Sequence, residues 1–347
     1  MNHHHPLRSV NALLNLRFKL AVATCLGLLC SASAYAHVKW FIDPNMPAPL
    51  DYVPYSWTEP YVLAWIAIGL CLIGASIFLD DKFPDPPIPT HRFRHDAIVI
   101  LRVFTGMSFF LTAYDGNLIA PHMPAYGTFG MILLFLQGII GLLFIADRFM
   151  FHAAALIFVL LLGVLIQYGF LSVLEYCNLI GIALFFMFNH MPSLALSEKY
   201  KPYSVDMLRI FTGIALATLG VTEKITGGAL GQAFIAEYGW NFMQLAGFDF
   251  FDDRLFVLSA GVMEVIFGII LILGTTTRVN TLVVSSFMLA SNTVFLVIGD
   301  NPSALMELVG HMPIIGSALI LILLGYGQRL KITNLWRKKE QSGIAAH

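Results

Sequence analysis

A carboxylate inside an apolar run is the residue best placed to do chemistry in this 347-residue chain. Glu264 lies in such a run, where insertion of a charge costs about 2.5–3.5 kcal/mol at a helix centre. A group held there suits proton transfer, ion coordination or a hydrogen bond to a ligand hydroxyl. Its plainer use is a neutral glutamic acid bonded to a neighbouring helix. Gln137 could do the same in its own run, and Asn292 on the following run is a partner under either reading. Glu307 and His311 share one helical face near the start of the last apolar run. Such a pair can relay protons, or bind a metal with the carboxylate orienting the imidazole; it is equally a polar pair at headgroup level. Glu175 and Asn178 hold a comparable place earlier in the chain. Glu223 and Lys224 end another run and read as an interfacial ion pair, a kind of contact worth little by itself.

A second chemistry starts from the N-terminus. Arg8, Arg17 and Lys19 precede the apolar stretch Leu20 to Cys30, and Ala34-Tyr35-Ala36 follows as a small-x-small cleavage site, so residues 1–36 read as a secretory signal. Cleavage there would make His37 the first residue. Its free amine and imidazole could chelate Cu(II), with outward-facing His122 or His311 completing the site. An ordinary first residue that happens to be histidine is the plain alternative. His-Met-Pro occurs at His122, His190 and His311, but the sidedness below puts His190 opposite the other two, so the three cannot form one site. Cys71 and Cys177 would be the remaining cysteines, both within apolar runs, which excludes a disulfide framework or a C-x-x-C site.

These residues need elements to hold them, and composition dictates which. Apolar residues make up 58% of the chain and charged residues 12%, a balance expected of an integral membrane protein. Nine runs after the signal are long enough to span about 30 Å of hydrocarbon, near 61–79, 97–115, 127–146, 150–168, 172–190, 206–222, 255–274, 279–299 and 307–326. Helices are expected because they satisfy their own backbone in lipid. With an outward start, Lys82, Arg92, Arg94, Arg148, Lys199, Lys201, Arg278 and the tail from Arg329 to Lys339 fall inside. Lys39, Lys224 and Arg254 stay outside, as the positive-inside rule requires. The expectation is an inner-membrane protein with a periplasmic N-terminus and a cytoplasmic C-terminus.

The hexapeptide L-R-[VI]-F-T-G occurs at Leu101–Gly106 and at Leu208–Gly213, and the likeness continues beyond it. Gln137 precedes Gly141 by the same interval as Glu264 precedes Gly268. The chain therefore divides into 37–60, an N-terminal segment; 61–96, a first span and a Pro-rich linker; 97–190 and 206–326, two four-helix units; and 327–347, a basic tail. An even helix count per unit gives parallel repeats about an axis along the membrane normal. The fold expected is thus all-α, a polytopic bundle of two such units. Arg102 and Arg209, just inside equivalent helices, read as anchors that snorkel and fix orientation. The loop 223–254, rich in aromatic residues, is expected to lie on the membrane surface or to cover the bundle.

The arginine motif, its small residues and the Glu223-Lys224 step resemble the DoxX/DoxD-like membrane proteins. The likeness is better in the second unit than in the first, where Tyr114-Asp115 stands at the lysine-bearing step. It implies four-helix bundles, some associated with thiosulfate:quinone oxidoreductase or other quinone-linked chemistry. On that basis the chain is expected to bind quinone between helices near Glu264, with Glu307 and His311 exchanging protons, as a subunit beside a redox or sulfur-metabolism partner. Copper handling at the outer face, or a non-catalytic scaffold for a partner enzyme, are the other readings. Membrane lipids are expected to surround the bundle. No nucleotide loop, haem-attachment motif or nucleic-acid patch is visible.

Overall fold

The computed structural model describes residues 38–42, 52–80, 82, 90–325 and 328–334, without the side chains of 290–292. The expected signal segment and His37 lie outside the described residues. No strand occurs among the described residues; the elements are helical, with one isolated bridge between Asn117 and Pro124.

A 3-10 turn, Val38–Trp40, precedes α1 (Pro60–Leu79), α2 (His91–Tyr114), α3 (Gly127–Ala146) and α4 (Met150–Tyr168). Next come α5 (Phe170–Glu175), α6 (Asn178–Asn189), α7 (Leu194–Tyr200) and α8 (Ser204–Leu219). A π turn, Gly220–Ile225, prolongs α8 and leads through α9 (Gly228–Tyr238) and α10 (Phe242–Leu245) to α11 (Asp253–Leu273). The last two are α12 (Thr277–Val297) and α13 (Asn301–Leu324). Polar caps start several of them: Thr90, Asp252 and Asp300 accept from Phe93 N, Leu255 N and Ser303 N. Among the described residues, eight helical runs are long and apolar enough to cross a membrane.

The nine expected spans are corrected at the fifth. The run 172–190 breaks into α5 and α6, separated by Tyr176 and Cys177, and α6 alone is only 12 residues long. An apolar run records hydropathy and not direction. The break turns the buried Glu175 toward the Lys39 ammonium and the Thr222 hydroxyl.

The two units pack by the same contacts. A Cβ on Gly106 would stand 2.8 Å from the Gly141 carbonyl, and one on Gly213 would stand 2.7 Å from the Gly268 carbonyl. The α2–α3 and α8–α11 crossings are therefore backbone against backbone, which only glycine permits. The following turns also match: Asp147 and Phe149 have φ of 54° and 52°, Gly274 and Thr276 have 78° and 43°. That puts Gly274 opposite Asp147. The fourth helices then exchange partners. Gly181 of α6 lies on the Leu208 backbone of α8, and Gly316 of α13 on the Leu101 backbone of α2. Each unit thus closes on the first helix of the other, around a pseudo-two-fold axis between them.

α1 breaks this symmetry by packing chiefly on α11, with Trp65 Nε1 donating to Ser259 Oγ at 3.0 Å. α11 is consequently the central helix: 78% of its most apolar window is buried, against 17% for α1. Large apolar side chains such as Leu70, Phe135, Ile166 and Leu289 point outward, as lipid-facing positions do.

Candidate functional site

The two hexapeptide arginines lie at one end of the bundle and perform one task. Arg102 donates to the carbonyls of Phe144 and Ile145, and Arg209 to those of Leu271 and Ile272. Each satisfies orphan carbonyls at the C-terminus of the next helix, where a cation also suits the helix dipole. Arg209 is fully buried and also bonds Asp206 and the Leu330 carbonyl, which fastens the C-terminal segment. Arg102 keeps only a 3.6 Å approach to the exposed Asp147. This arginine end is structural.

Chemistry gathers at the opposite end, around Trp40. The π turn holds Glu223 and Lys224 in different directions, as π segments at functional sites commonly do. Lys224 Nζ donates to both Glu264 carboxylate oxygens at 2.8 Å, and the ion pair is almost wholly buried. Two glycines make this possible. A Cβ on Gly261 would stand 2.8 Å from Lys224 Cβ, and one on Gly220 would stand 2.9 Å from Glu264 Cβ. Glu223 accepts instead from the Val38 backbone N–H at 3.1 Å and lies 3.8 Å from the Lys39 ammonium. Lys39 Nζ donates to Glu175 at 2.5 Å, and the Thr222 hydroxyl donates to the same oxygen at 2.8 Å.

Trp40 seats this turn. Its indole N–H donates to the Tyr176 hydroxyl at 3.0 Å, its ring lies 4.9 Å from the His311 ring, and any side chain at Gly310 would collide with it. His311 Nδ1 is 2.8 Å from the Glu307 carbonyl oxygen and 3.6 Å from the Glu307 carboxylate. The result is a buried network of four carboxyl groups, two ammonium groups and an imidazole, drawn from five separated segments. Groups of this kind are costly away from water unless paired, and they can pass protons between neighbours.

Below the network lies a cavity between α8, α11, α12 and α13, with about 1010 Å³ of non-atom space when its open side is included. Glu175, Asn178, Lys224, Glu264 and His311 form its polar end, and most of the remaining wall is apolar. Thr212 also lines it. The Thr212 hydroxyl is buried without a hydrogen-bond partner among the described residues. Its counterpart Thr105 donates back to the Leu101 carbonyl at 2.8 Å.

The structure brings Glu223, Lys224, Glu264, Glu307 and His311 into this one region. Glu223 and Lys224 are no exposed ion pair: each reaches a different buried partner. Gln137 stands apart from the cavity wall and donates within the first unit to Phe109 O, Thr112 Oγ1 and Asn117 O at 2.9–3.2 Å. Asn117 follows Gly106 by the same interval as Lys224 follows Gly213, so Asn117, rather than Tyr114-Asp115, occupies the lysine position. Glu264 has Lys224 as partner, and the side chain of Asn292 is outside the described residues. His122 lies with its ring 6.1 Å from that of Tyr176. Among the described residues no three His, Cys, Asp or Glu side chains are grouped to hold a metal. Sequence reasoning missed the seats of Lys39, Trp40, Tyr176 and Thr222, whose hydrogen-bond partners across the site are distant in sequence. A comparison with protein-family models, curated proteins and solved structures finds no match.

Proposed function

We propose that this chain is an integral membrane protein that binds a quinone between its helices and exchanges protons with it, as a subunit of a quinone-linked oxidoreductase. The observation that carries the reading is the buried Lys224–Glu264 pair at the polar end of a largely apolar cavity. An ammonium there is placed to donate to a carbonyl oxygen, and the carboxyl groups and His311 can supply or take the protons that accompany two-electron reduction of a quinone to a quinol. The electrons would come from a partner redox subunit. The resemblance of the arginine repeat to DoxX/DoxD-like proteins supports the same reading. With the charge asymmetry of the loops, the network lies at the periplasmic face of the inner membrane, where protons exchange with the aqueous phase.

The test is quinone binding to the reconstituted protein, read by quenching of tryptophan fluorescence. The double variant Lys224→Met, Glu264→Leu removes both charges together, so neither is stranded in the interior. Its affinity for quinone should fall at least about tenfold, the equivalent of roughly 1.4 kcal/mol, with the unfolding transition retained. Unchanged affinity in the folded variant would sink the proposal.

Copper handling has one observation in its favour: the His122 and His311 rings flank the Tyr176–Trp40 pair on which the Val38–Trp40 turn is seated. Mass determination of the mature N-terminus, followed by copper titration, decides it. A mature chain that does not begin at His37 removes the amine ligand and ends that reading.

A further inference from the structure

The shape of the cavity says more about its ligand than the polar end alone. Its wall runs from Glu264 to Leu271 on α11, from Thr281 to Met288 on α12 and from His311 to Leu321 on α13. At 1.5 Å per residue these stretches are about 10–15 Å long, side by side. The space is therefore a channel parallel to the helix axes, polar at the Trp40 end and largely apolar toward the arginine end.

α12 packs on α11 and α13 and barely touches α8, as its counterpart α4 packs on α3 and α6 and barely touches α2, so the difference lies in the side chains between them. The matched turns align α4 with α12, which pairs Ile157 with Val284 and Leu161 with Met288. Ile157 and Leu161 are buried core residues, whereas Val284 and Met288 are half-buried and line the channel. The second unit thus keeps open a space that the first fills with side chains. The half-buried Ser285, Met288, Ile314 and Ala318 place its open side among residues at the bundle surface, where the bilayer would be.

Resting on the quinone reading above, we infer that the ligand is an amphiphile held at both parts, with its ring at Lys224 and His311 and an isoprenoid or alkyl tail lying down the α11–α12–α13 channel. Tail burial would then supply much of the affinity, because each buried methylene contributes in proportion to the apolar area removed from water. It would also set orientation: a tail confined parallel to the helices keeps the ring at the charged end.

The experiment compares two probes in nanodiscs of one lipid composition, a benzoquinone with a ten-carbon alkyl tail and the same ring with a methyl group instead. Each is titrated against the wild type and against two channel-filling variants, Ala318→Phe on α13 and Ser285→Phe on α12. The quantity read is the ratio of the two affinities, which cancels effects common to both probes, and comparing it between variant and wild type cancels the tail's own partition into lipid. That ratio should fall at least about tenfold in both variants, while thermal unfolding shows each folded. A ratio unchanged in both folded variants overturns the tail channel and leaves quinone binding at Lys224 standing. Failure of both probes to bind the wild type overturns the quinone reading, and the tail channel with it.

Discussion

The first unit is solid where the second is hollow. Both cross their first two helices at a glycine pair, and both cap the second helix with the hexapeptide arginine. Yet Gln137 is a neutral amide whose Nε2 donates to Phe109 O, Thr112 Oγ1 and Asn117 O, while Glu264 at the equivalent place is one half of a buried ion pair. Leu134 stands where Gly261 makes room for Lys224. Thr105 closes on its own helix, and Thr212 faces the channel. One copy of the duplicated scaffold supplies rigidity, and the other has exchanged packing for charge and space. Departures from the repeat therefore mark the cavity and its charged end better than the repeat itself does.

The sharpest way to break this comparison is to remove one charge. Glu264→Gln strands Lys224 in the interior and should cost about 3–5 kcal/mol of stability. Gln137→Leu, which removes a neutral donor, should cost about 1–3 kcal/mol. Adding Lys224→Met to Glu264→Gln should restore most of the loss, as a double-mutant cycle in thermal unfolding would show. Equal costs for Glu264→Gln and Gln137→Leu would mean that the two positions do the same job.

The shared part of the scaffold comes next. Gly106→Ala and Gly213→Ala each push a methyl against a carbonyl across a helix crossing, and overpacking of this sort costs about 1–3 kcal/mol. The two losses should agree within about 0.5 kcal/mol, the scatter expected of independent sites. A large disparity in denaturation midpoints would show that the crossings are not equivalent. The threonines separate the units more finely. Thr105→Val loses a made hydrogen bond, at about 1 kcal/mol, whereas Thr212→Val removes an unmade one and should be neutral or stabilising. A loss at Thr212 matching that at Thr105 would contradict the assignment of its hydroxyl to the channel.

The smallest effect belongs to a clasp that only the second unit has. Arg254 at the start of α11 bonds both oxygens of Glu59, at 2.8 and 3.0 Å, and holds that carboxyl below its ordinary value of 4.5. A lowered carboxylate pKa stabilises the fold above the ordinary value, and this contribution is lost as pH falls through the lowered one. The pair is solvent-accessible, so the change in melting temperature on acidification should be small. Comparison with Glu59→Gln measures it: a wild-type pH profile identical to that of the variant would show that the clasp contributes nothing.

The repeat was legible because its pattern is local in sequence, however distant the carbonyls its arginines reach. Arg102 and Arg209, with their glycines one turn later, keep the same spacing in sequence and make the same contacts in space. Hydropathy placed most spans for the same reason. It missed the break after Glu175, since Leu171, Val173 and Leu174 keep the run apolar whichever way the backbone turns. Glu264 stood out as a buried carboxylate, but its partner did not. Lys224 is 40 residues away on a π turn whose extra residue no periodicity reveals. The seat of Trp40 was illegible in principle, because Gly310 is informative only once something is known to lie against it.

The turn at Val38–Trp40 also has a consequence for the order in which the molecule can be made. Lys224 and Glu264 belong to neighbouring spans and can neutralise each other as a hairpin while both enter the bilayer. Lys39 is separated from Glu175 by 136 residues and Val38 from Glu223 by 185, and the His311 that Trp40 meets is on the last helix. During synthesis Lys39 and Trp40 wait for Glu175 and Tyr176 midway along the chain, and Trp40 waits for His311 until the last helix arrives. Completion of the charged end is thus the last event in biogenesis, and a chain stalled before α13 would present the Trp40 ring without the His311 and Gly310 surface that covers it, a feature by which quality control could tell unfinished protein from finished.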